Sequence, residues 1–331
     1  MFEQESRVAE HWFSNGQIGK ALPHFRRAML IDPRSHQMKL RIGQCLDRMG
    51  RTEEASVMFE DLVGPDFDGI AQALQGEILQ AYTNLCHRTG RESAVLDCLR
   101  PKLAMIERLP ALYYNLGLAL YKSRQMDEAR DCFLRLKILH PKHSAGYIGQ
   151  AILQCHANRF AEALEELESG RRAVPHDVQI FENIAVVHMK MGNPLASITI
   201  LRSLIERGMR SAKLLHMLGM AHLRLGNLPT AETHLKQSLD IERTGDALRE
   251  MGWLLIAKGL HAESIVYLKE ALTINPNDIW AKLDLAIAYF KQGITVDAHI
   301  LFNEARAAAP SPEVTKLLDD LARVIAAGPR S

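Results

Sequence analysis

Small and large apolar residues follow one another along this chain in an order that returns every 34 residues, a period that belongs to stacked helical repeats. In YYNLGLALYKSRQMDEARDCF (residues 113–133), Leu116-Gly117 is followed by Leu120, then by Ala129 and Phe133. Counting units from Phe2, His36, Gly76, Pro110, Ser144, Val178, Ala212, Gly245 and Ile279 divides the chain into nine. Every step is 34 residues or one fewer, except that from His36 to Gly76, which holds six extra residues around GPDFDG.

Each unit follows one physical plan. An apolar residue precedes a small one at Ile42-Gly43, Leu116-Gly117, Ile184-Ala185, Leu218-Gly219, Met251-Gly252 and Leu285-Ala286. A polar turn comes next, often with glycine (Gly16, Gly50, Gly192, Gly226, Gly259, Gly293). A second small residue follows at Ala21, Ala55, Ala129, Ala163, Ser197, Ala231, Ser264 and Ala298. Four positions later stands a large one: Phe25, Phe59, Phe133, Leu167, Leu201, Leu235, Leu268 and Phe302. Spacings of three and four place these residues on one stripe of a helix, so each unit reads as two helices in close contact. Pro33, Pro141, Pro175, Pro276 and Pro310 close units, because proline cannot continue a helix interior. Asn193-Pro194 reads as an N-cap before a first-turn proline.

The pattern resembles the tetratricopeptide repeat, a helix–turn–helix unit, over residues 2–312. The resemblance implies an all-α fold: an α-solenoid of antiparallel helix pairs forming a right-handed superhelix. Units one and two then span residues 2–75 with the insertion, and units three to nine span 76–312. PEVTKLLDDLARVIAA has helical periodicity without a partner helix, so a C-terminal capping helix is expected over 313–327. The third unit departs from the pattern, with Thr83 and Val95 at small positions and Pro101 late in its second helix, and a hinge is expected near 64–76.

Members of this family use the first helices to line a concave groove that holds a peptide or partner helix. After the small residue of the first helix, units four to nine carry Leu118, Ile152, Val186, Met220, Trp253 and Ile287. Three positions on, Tyr121, Met189, Leu223, Ile256 and Phe290 extend the row. The first three units are polar at the earlier position, with Glu10, Gln44 and Asn84. Two readings stand: these side chains pack beneath neighbouring repeats, or they form a continuous apolar groove over residues 110–300. The groove residues are then Asn84, Tyr114, Asn115, Leu118, Tyr121, Ile152, Asn183, Val186, Met189, Met220, Leu223, Trp253, Ile256, Ile287 and Phe290. Asn115 and Asn183 are candidates to hydrogen-bond a peptide backbone, as asparagines do in some family grooves. A basic row, Arg48, Arg88, Lys122, Lys190, Arg224 and Lys291, follows the apolar one and reads as solvated helix ends or as steering for an acidic or amphipathic partner. The family's clamp for chaperone C-terminal tails needs cations where Gln80, Ala145 and Gly149 stand, so that mode is not expected.

The chemistry-bearing residues are scattered. There is no GxSxG, phosphate-binding loop, HExxH or dinucleotide fingerprint, and no catalytic, cofactor-binding or metal residue is assigned. His188 and His222 share one place in adjacent units and read as local packing with local hydrogen bonds. The 40 Lys and Arg balance 39 Asp and Glu, which speaks against nucleic acid or a membrane surface as partner. Cys45, Cys86, Cys98, Cys132 and Cys155 form no CxxC pair and read as reduced, packed thiols. MFEQESRVAE is charged from its third residue, so no secretory leader is expected and the location expected is cytoplasmic. The function expected is a scaffold or adaptor, chaperone-like in type, that is no enzyme, needs no cofactor and binds an apolar or amphipathic protein segment. An accessory scaffold of an enzyme or secretion complex, and a self-assembling homo-oligomer, are the alternatives.

Overall fold

The computed structural model describes residues 1–308, 315, 316 and 318. They form antiparallel helix pairs with no β-strand among the described residues. The pairs are α1 (Phe2–Ser14) with α2 (Ile18–Ile31), α3 (His36–Arg48) with α4 (Thr52–Leu62), and α5 (Gln72–Thr89) with α6 (Glu92–Leu99). A short α7 (Leu103–Ile106) precedes α8 (Pro110–Lys122) with α9 (Met126–Leu139) and α10 (Ala145–His156) with α11 (Phe160–Ala173). Then come α12 (Val178–Lys190) with α13 (Pro194–Glu206), α14 (Ala212–Arg224) with α15 (Leu228–Ile241), α16 (Gly245–Ala257) with α17 (His261–Ile274), and α18 (Ile279–Lys291) with α19 (Thr295–Ala307). Two compact units result, Met1–Ile180 and Phe181 onward.

The repeated residues do the packing that their spacing implies. Phe25, Phe59, Phe133, Leu167, Leu201, Leu235 and Leu268 are fully buried, and Phe59, Phe133, Leu235 and Leu268 lie against the small residue of the partner helix, Gly43, Gly117, Gly219 and Gly252. A Cβ on Gly117 would stand 2.4 Å from Phe133, and one on Gly149, from the next repeat, 2.2 Å from the same ring. Phe133 is therefore clasped between two glycines on successive first helices. Gly149 occupies a place where the family's clamp has a cation, and here close packing requires that no side chain be present.

The helix ends follow local chemistry. Asn193 caps α13 by accepting a hydrogen bond from the Ala196 N–H at 3.2 Å, and Pro194 opens the helix. Gly192, Gly226, Gly259 and Gly293 close their first helices at φ of +73° to +77°, the left-handed region that suits glycine. Pro101 ends the third unit's second helix as its sequence implies: α6 stops at Leu99 and the chain passes through a 3₁₀ turn before α7.

Within Met1–Ile180 the GPDFDG insertion forms a 3₁₀ turn over Phe67–Gly69. Phe67 and Ile70 are buried in the same core as their neighbours, with the Lys102 ammonium over the Phe67 ring at 4.9 Å. Cys45, Cys86, Cys98 and Cys132 are buried thiols, and burial pushes that of Cys132 up to about 12. The expected capping helix over 313–327 lies outside the described residues except at 315, 316 and 318, of which Leu318 is buried with Leu283, Ala286 and Phe302.

Candidate functional site

Four consecutive first helices of the second unit, α12, α14, α16 and α18, turn one face into a groove of about 760 Å³. Six of the residues placed in a groove from sequence line it together: Val186, Met189, Met220, Leu223, Trp253 and Ile287. They meet because they occupy two positions, three residues apart, that recur in each repeat. Trp253 is 41% exposed and Trp280, which joins them, 39%. Exposed indole surface between half-buried methionines forms an adaptable apolar contact area.

Ile256 lies elsewhere, packed with Leu268, Leu285 and Ala288, and Phe290 is half-buried away from the groove. Asn183 is half-buried and engaged within the chain.

In the first unit the corresponding residues are used internally. Asn115 is buried, and its amide nitrogen donates to Thr83 Oγ1 at 2.8 Å and Asn84 Oδ1 at 3.1 Å. Its carbonyl lies 3.0 Å from His87 Nε2. The donors that would read a peptide backbone are thus already occupied, and Asn115 ties two repeats together. Asn84 itself is exposed. Tyr114 leans on Phe133 at 5.7 Å between ring centres, Tyr121 meets His156 edge-on at 5.5 Å, Leu118 packs on the core, and Ile152 is half-buried. The sequence expectation of one apolar row over 110–300 therefore divides: in the first unit packing takes up much of it, and in the second it lines a groove.

The groove is also not wholly apolar. Its floor holds Arg249 and Glu250 of α16 and Asp284 of α18. Glu250 and Asp284 are 9% and 7% exposed. Arg249 Nη2 donates to Glu250 Oε1 at 2.5 Å, while Arg249 Nη1 stands 3.6 Å from Asp284 Oδ2, too far for a hydrogen bond. That Oδ2 is buried and accepts no hydrogen bond among the described residues. Burial raises the Asp284 carboxyl to about 7 against the pull of Arg249, with Glu250 and Asp278 adding to the rise. Glu250 is raised for the same first reason, opposed by Arg249 and Arg224.

Sequence reasoning missed this floor although a signal was present. Glu250 and Asp284 immediately precede Met251-Gly252 and Leu285-Ala286, the register held by Asn115 and Asn183 in earlier repeats. A column that changes from amide to carboxylate over two successive repeats marks a change of chemistry on one face.

The basic row divides between the units. In the first, Arg48 lies over the Phe13 ring at 4.4 Å, Arg88 pairs with Asp47, and Lys122 pairs with Glu92 at 2.7 Å. In the second, Lys190 and Arg224 stand exposed on the groove and make no ion pair among the described residues.

The His188–His222 expectation is corrected in part. His222 is 5% exposed and stacks on His234 at 5.6 Å, so it packs, but neither of its ring nitrogens has a hydrogen-bond partner among the described residues. Burial, then the neighbouring His234, lowers its proton affinity. No group of three or more potential metal ligands converges among the described residues. No described helix is long and apolar enough to cross a membrane.

Comparison with known proteins agrees with the architecture. Residues 13–78 and 255–321 match one family model described as tetratricopeptide repeat, and residues 114–178 and 216–279 match another, together more than half of the chain. Tetratricopeptide repeat protein 28 of Mus musculus is 23% identical over 227 residues, 56% of this chain and 9% of that protein. The human protein O-mannosyl-transferase TMTC1 is 25% identical over 178 residues, 53% of this chain and 20% of that protein. The chain thus spans a small part of the length of the curated relatives it matches. Among solved structures, the APC/C hetero-tetramer Cut9–Hcn1 aligns with a TM-score of 0.58 at 16% identity, covering 89% of this chain and 58% of that one. With the repeat register, the helix pairs and the family models in agreement, this chain belongs to the tetratricopeptide-repeat family.

Proposed function

We propose that the chain is a protein-interaction scaffold that holds a segment of a partner in the groove over residues 186–287. The observation that supports this most is the alignment of Val186, Met220, Trp253 and Ile287 on four successive first helices, with the two tryptophans about 40% exposed. Side chains of this size in a solvent-open groove are costly to leave hydrated, and each anchor buried against them contributes about 1.5–3 kcal/mol. An exposed ion pair contributes only ~0–1 kcal/mol, so apolar contact carries affinity and charge sets specificity. Repeat arrays of this kind present extended concave surfaces suited to such binding. The groove is open and its polar groups include no nucleophile held against a base, which favours binding over catalysis. A cytoplasmic setting belongs to the same reading and is supported by the buried thiols of Cys45, Cys86, Cys98 and Cys132.

The test is site-specific photo-crosslinking in the native cell. A photoreactive residue at Met220, in the groove, is compared with one at Val266, which is 64% exposed on α17. Capture is expected at Met220 alone, and Val186→Glu with Trp253→Glu abolishes it while helicity and melting temperature stay unchanged. Equal capture at both sites, or capture indifferent to those substitutions, defeats the groove reading. A crosslinked pair of this chain with itself assigns the groove to self-assembly.

A further inference from the structure

We infer that the groove is selective for a segment presenting one lysine or arginine beside a large apolar residue, the cation entering at Asp284 and the apolar side chain lying over Met220 and Trp253. The inference rests on the groove reading and deepens it by naming the chemistry of the occupant.

The argument begins with a charge imbalance. Arg249 is one cation between two carboxylates, and its short hydrogen bond goes to Glu250. The three groups together carry one negative charge in excess when both acids are ionised, and they are largely buried in the groove lining among Trp253, Trp280, Leu283 and Ile287. A buried carboxylate without a matched cation is expensive, and the protein relieves it either by taking up a proton or by meeting a positive ligand. The Asp284 carboxylate is where the ligand would act, since the residue lines the groove, is more than nine-tenths buried, and its Oδ2 is without a donor.

The form of the cation follows from its surroundings. A bare metal ion finds too few ligands, because Glu250 Oε1 is already held by Arg249 and no metal-type cluster exists among the described residues. An ammonium or guanidinium on a flexible apolar stem fits better. Its stem can lie along Trp280 and Leu283 while its head meets the Asp284 carboxylate at the groove lining. Lys190 and Arg224, at the α12 and α14 end of the groove, repel a second cation, so a uniformly basic segment is disfavoured.

Proton linkage gives the idea an independent signature. Asp284 is faced by Arg249 and Glu250 of α16 and by Asp278 at the start of its own helix. Arg224 of α14 acts on Glu250, and Lys282 of α18 is committed to Glu304 of α19 at 2.7 Å. With Asp284 raised to about 7, a bound cation favours its ionised form, so the cation binds more weakly as pH falls below 7.

The test uses the full chain, a displayed library of random 12-residue peptides, and the variants Asp284→Asn and Trp253→Ala. Wild type is expected to enrich Lys or Arg within two residues of Trp, Phe, Leu or Met. For a synthesised lead peptide, Lys→Gln raises Kd about tenfold at pH 7.5 on wild type and leaves it unchanged on Asp284→Asn, the signature of a direct pair. The wild-type advantage of the Lys peptide shrinks at pH 5.5. If Asp284→Asn does not fold, the peptide substitution and the pH comparison on wild type decide. Leads that lose affinity with Trp253→Ala but show no basic preference overturn this inference and leave the groove reading intact. Leads indifferent to Trp253→Ala, or no leads at all, overturn both.

Discussion

Replacing Asp284 with Asn is expected to stabilise the free protein at pH 8 and to do so less as pH falls. The carboxyl is raised from an ordinary 3.8 to about 7, chiefly because burial strips water from its charged form. Each tenfold change in proton affinity corresponds to about 1.4 kcal/mol, so ionising Asp284 in the folded state costs ~4 kcal/mol relative to the unfolded chain. The direction follows from the proton count. Between 3.8 and about 7 the folded state retains a proton that the unfolded state has released, so this group lowers stability progressively as pH rises through that window and by its full amount above it. Asn carries no charge at any pH, but its amide places a new donor near Arg249, and an unsatisfied buried donor costs about 1–3 kcal/mol. The net gain expected at pH 8 is therefore about 1–3 kcal/mol, falling to nothing or reversing near pH 4. Urea unfolding from pH 4 to 8 measures this, with tryptophan fluorescence reporting on Trp253 and Trp280 beside the site, since a repeat array need not unfold in one step. His216, His222 and His234 also have shifted proton affinities but are common to both proteins and cancel in the difference, whereas Glu250 is coupled to Asp284, so the difference between variant and wild type reports the pair. A variant less stable than wild type at pH 8, or a difference that does not vary with pH, would refute the account of the buried charge.

Three other substitutions probe the framework. Gly117→Val should destabilise by about 1–3 kcal/mol or more, because its Cβ alone would stand 2.4 Å from Phe133; urea unfolding followed by circular dichroism gives the size. Asn115→Ala should cost about 1–2 kcal/mol by removing the bonds to Thr83 and Asn84, and should leave ligand binding at the second unit's groove unchanged in titration calorimetry. His222→Phe should become more favourable relative to wild type as pH falls below 6.5, where protonation of the unfolded histidine draws the wild type toward unfolding; paired melts at pH 5.5 and 7.5 give the sign.

Much of this molecule is legible from one chain because its repeat makes local rules act many times over. The small–large pairing foretells that Gly117 meets Phe133, the Asn193-Pro194 pair foretells a capped helix start, and Pro101 foretells the end of α6. The row Val186, Met220, Trp253 and Ile287 was equally visible, because helical periodicity assigns residues to faces without knowledge of the neighbours.

What periodicity cannot supply is the environment of a face once repeats stack. Asn115 and Asp284 stand at equivalent positions, yet one finds Thr83 and Asn84 within reach and the other is left with an unpaired oxygen above Arg249. Lys122 and Lys190 share another position, yet Lys122 pairs with Glu92 while Lys190 makes no ion pair among the described residues. The chain's own pattern determined the family, the helix pairs and which residues can face the groove. Only the tertiary structure decided which of those residues are consumed in packing and which carry unsatisfied charge, because burial and hydrogen-bond satisfaction depend on side chains some 30 residues away in sequence that stacking brings into contact.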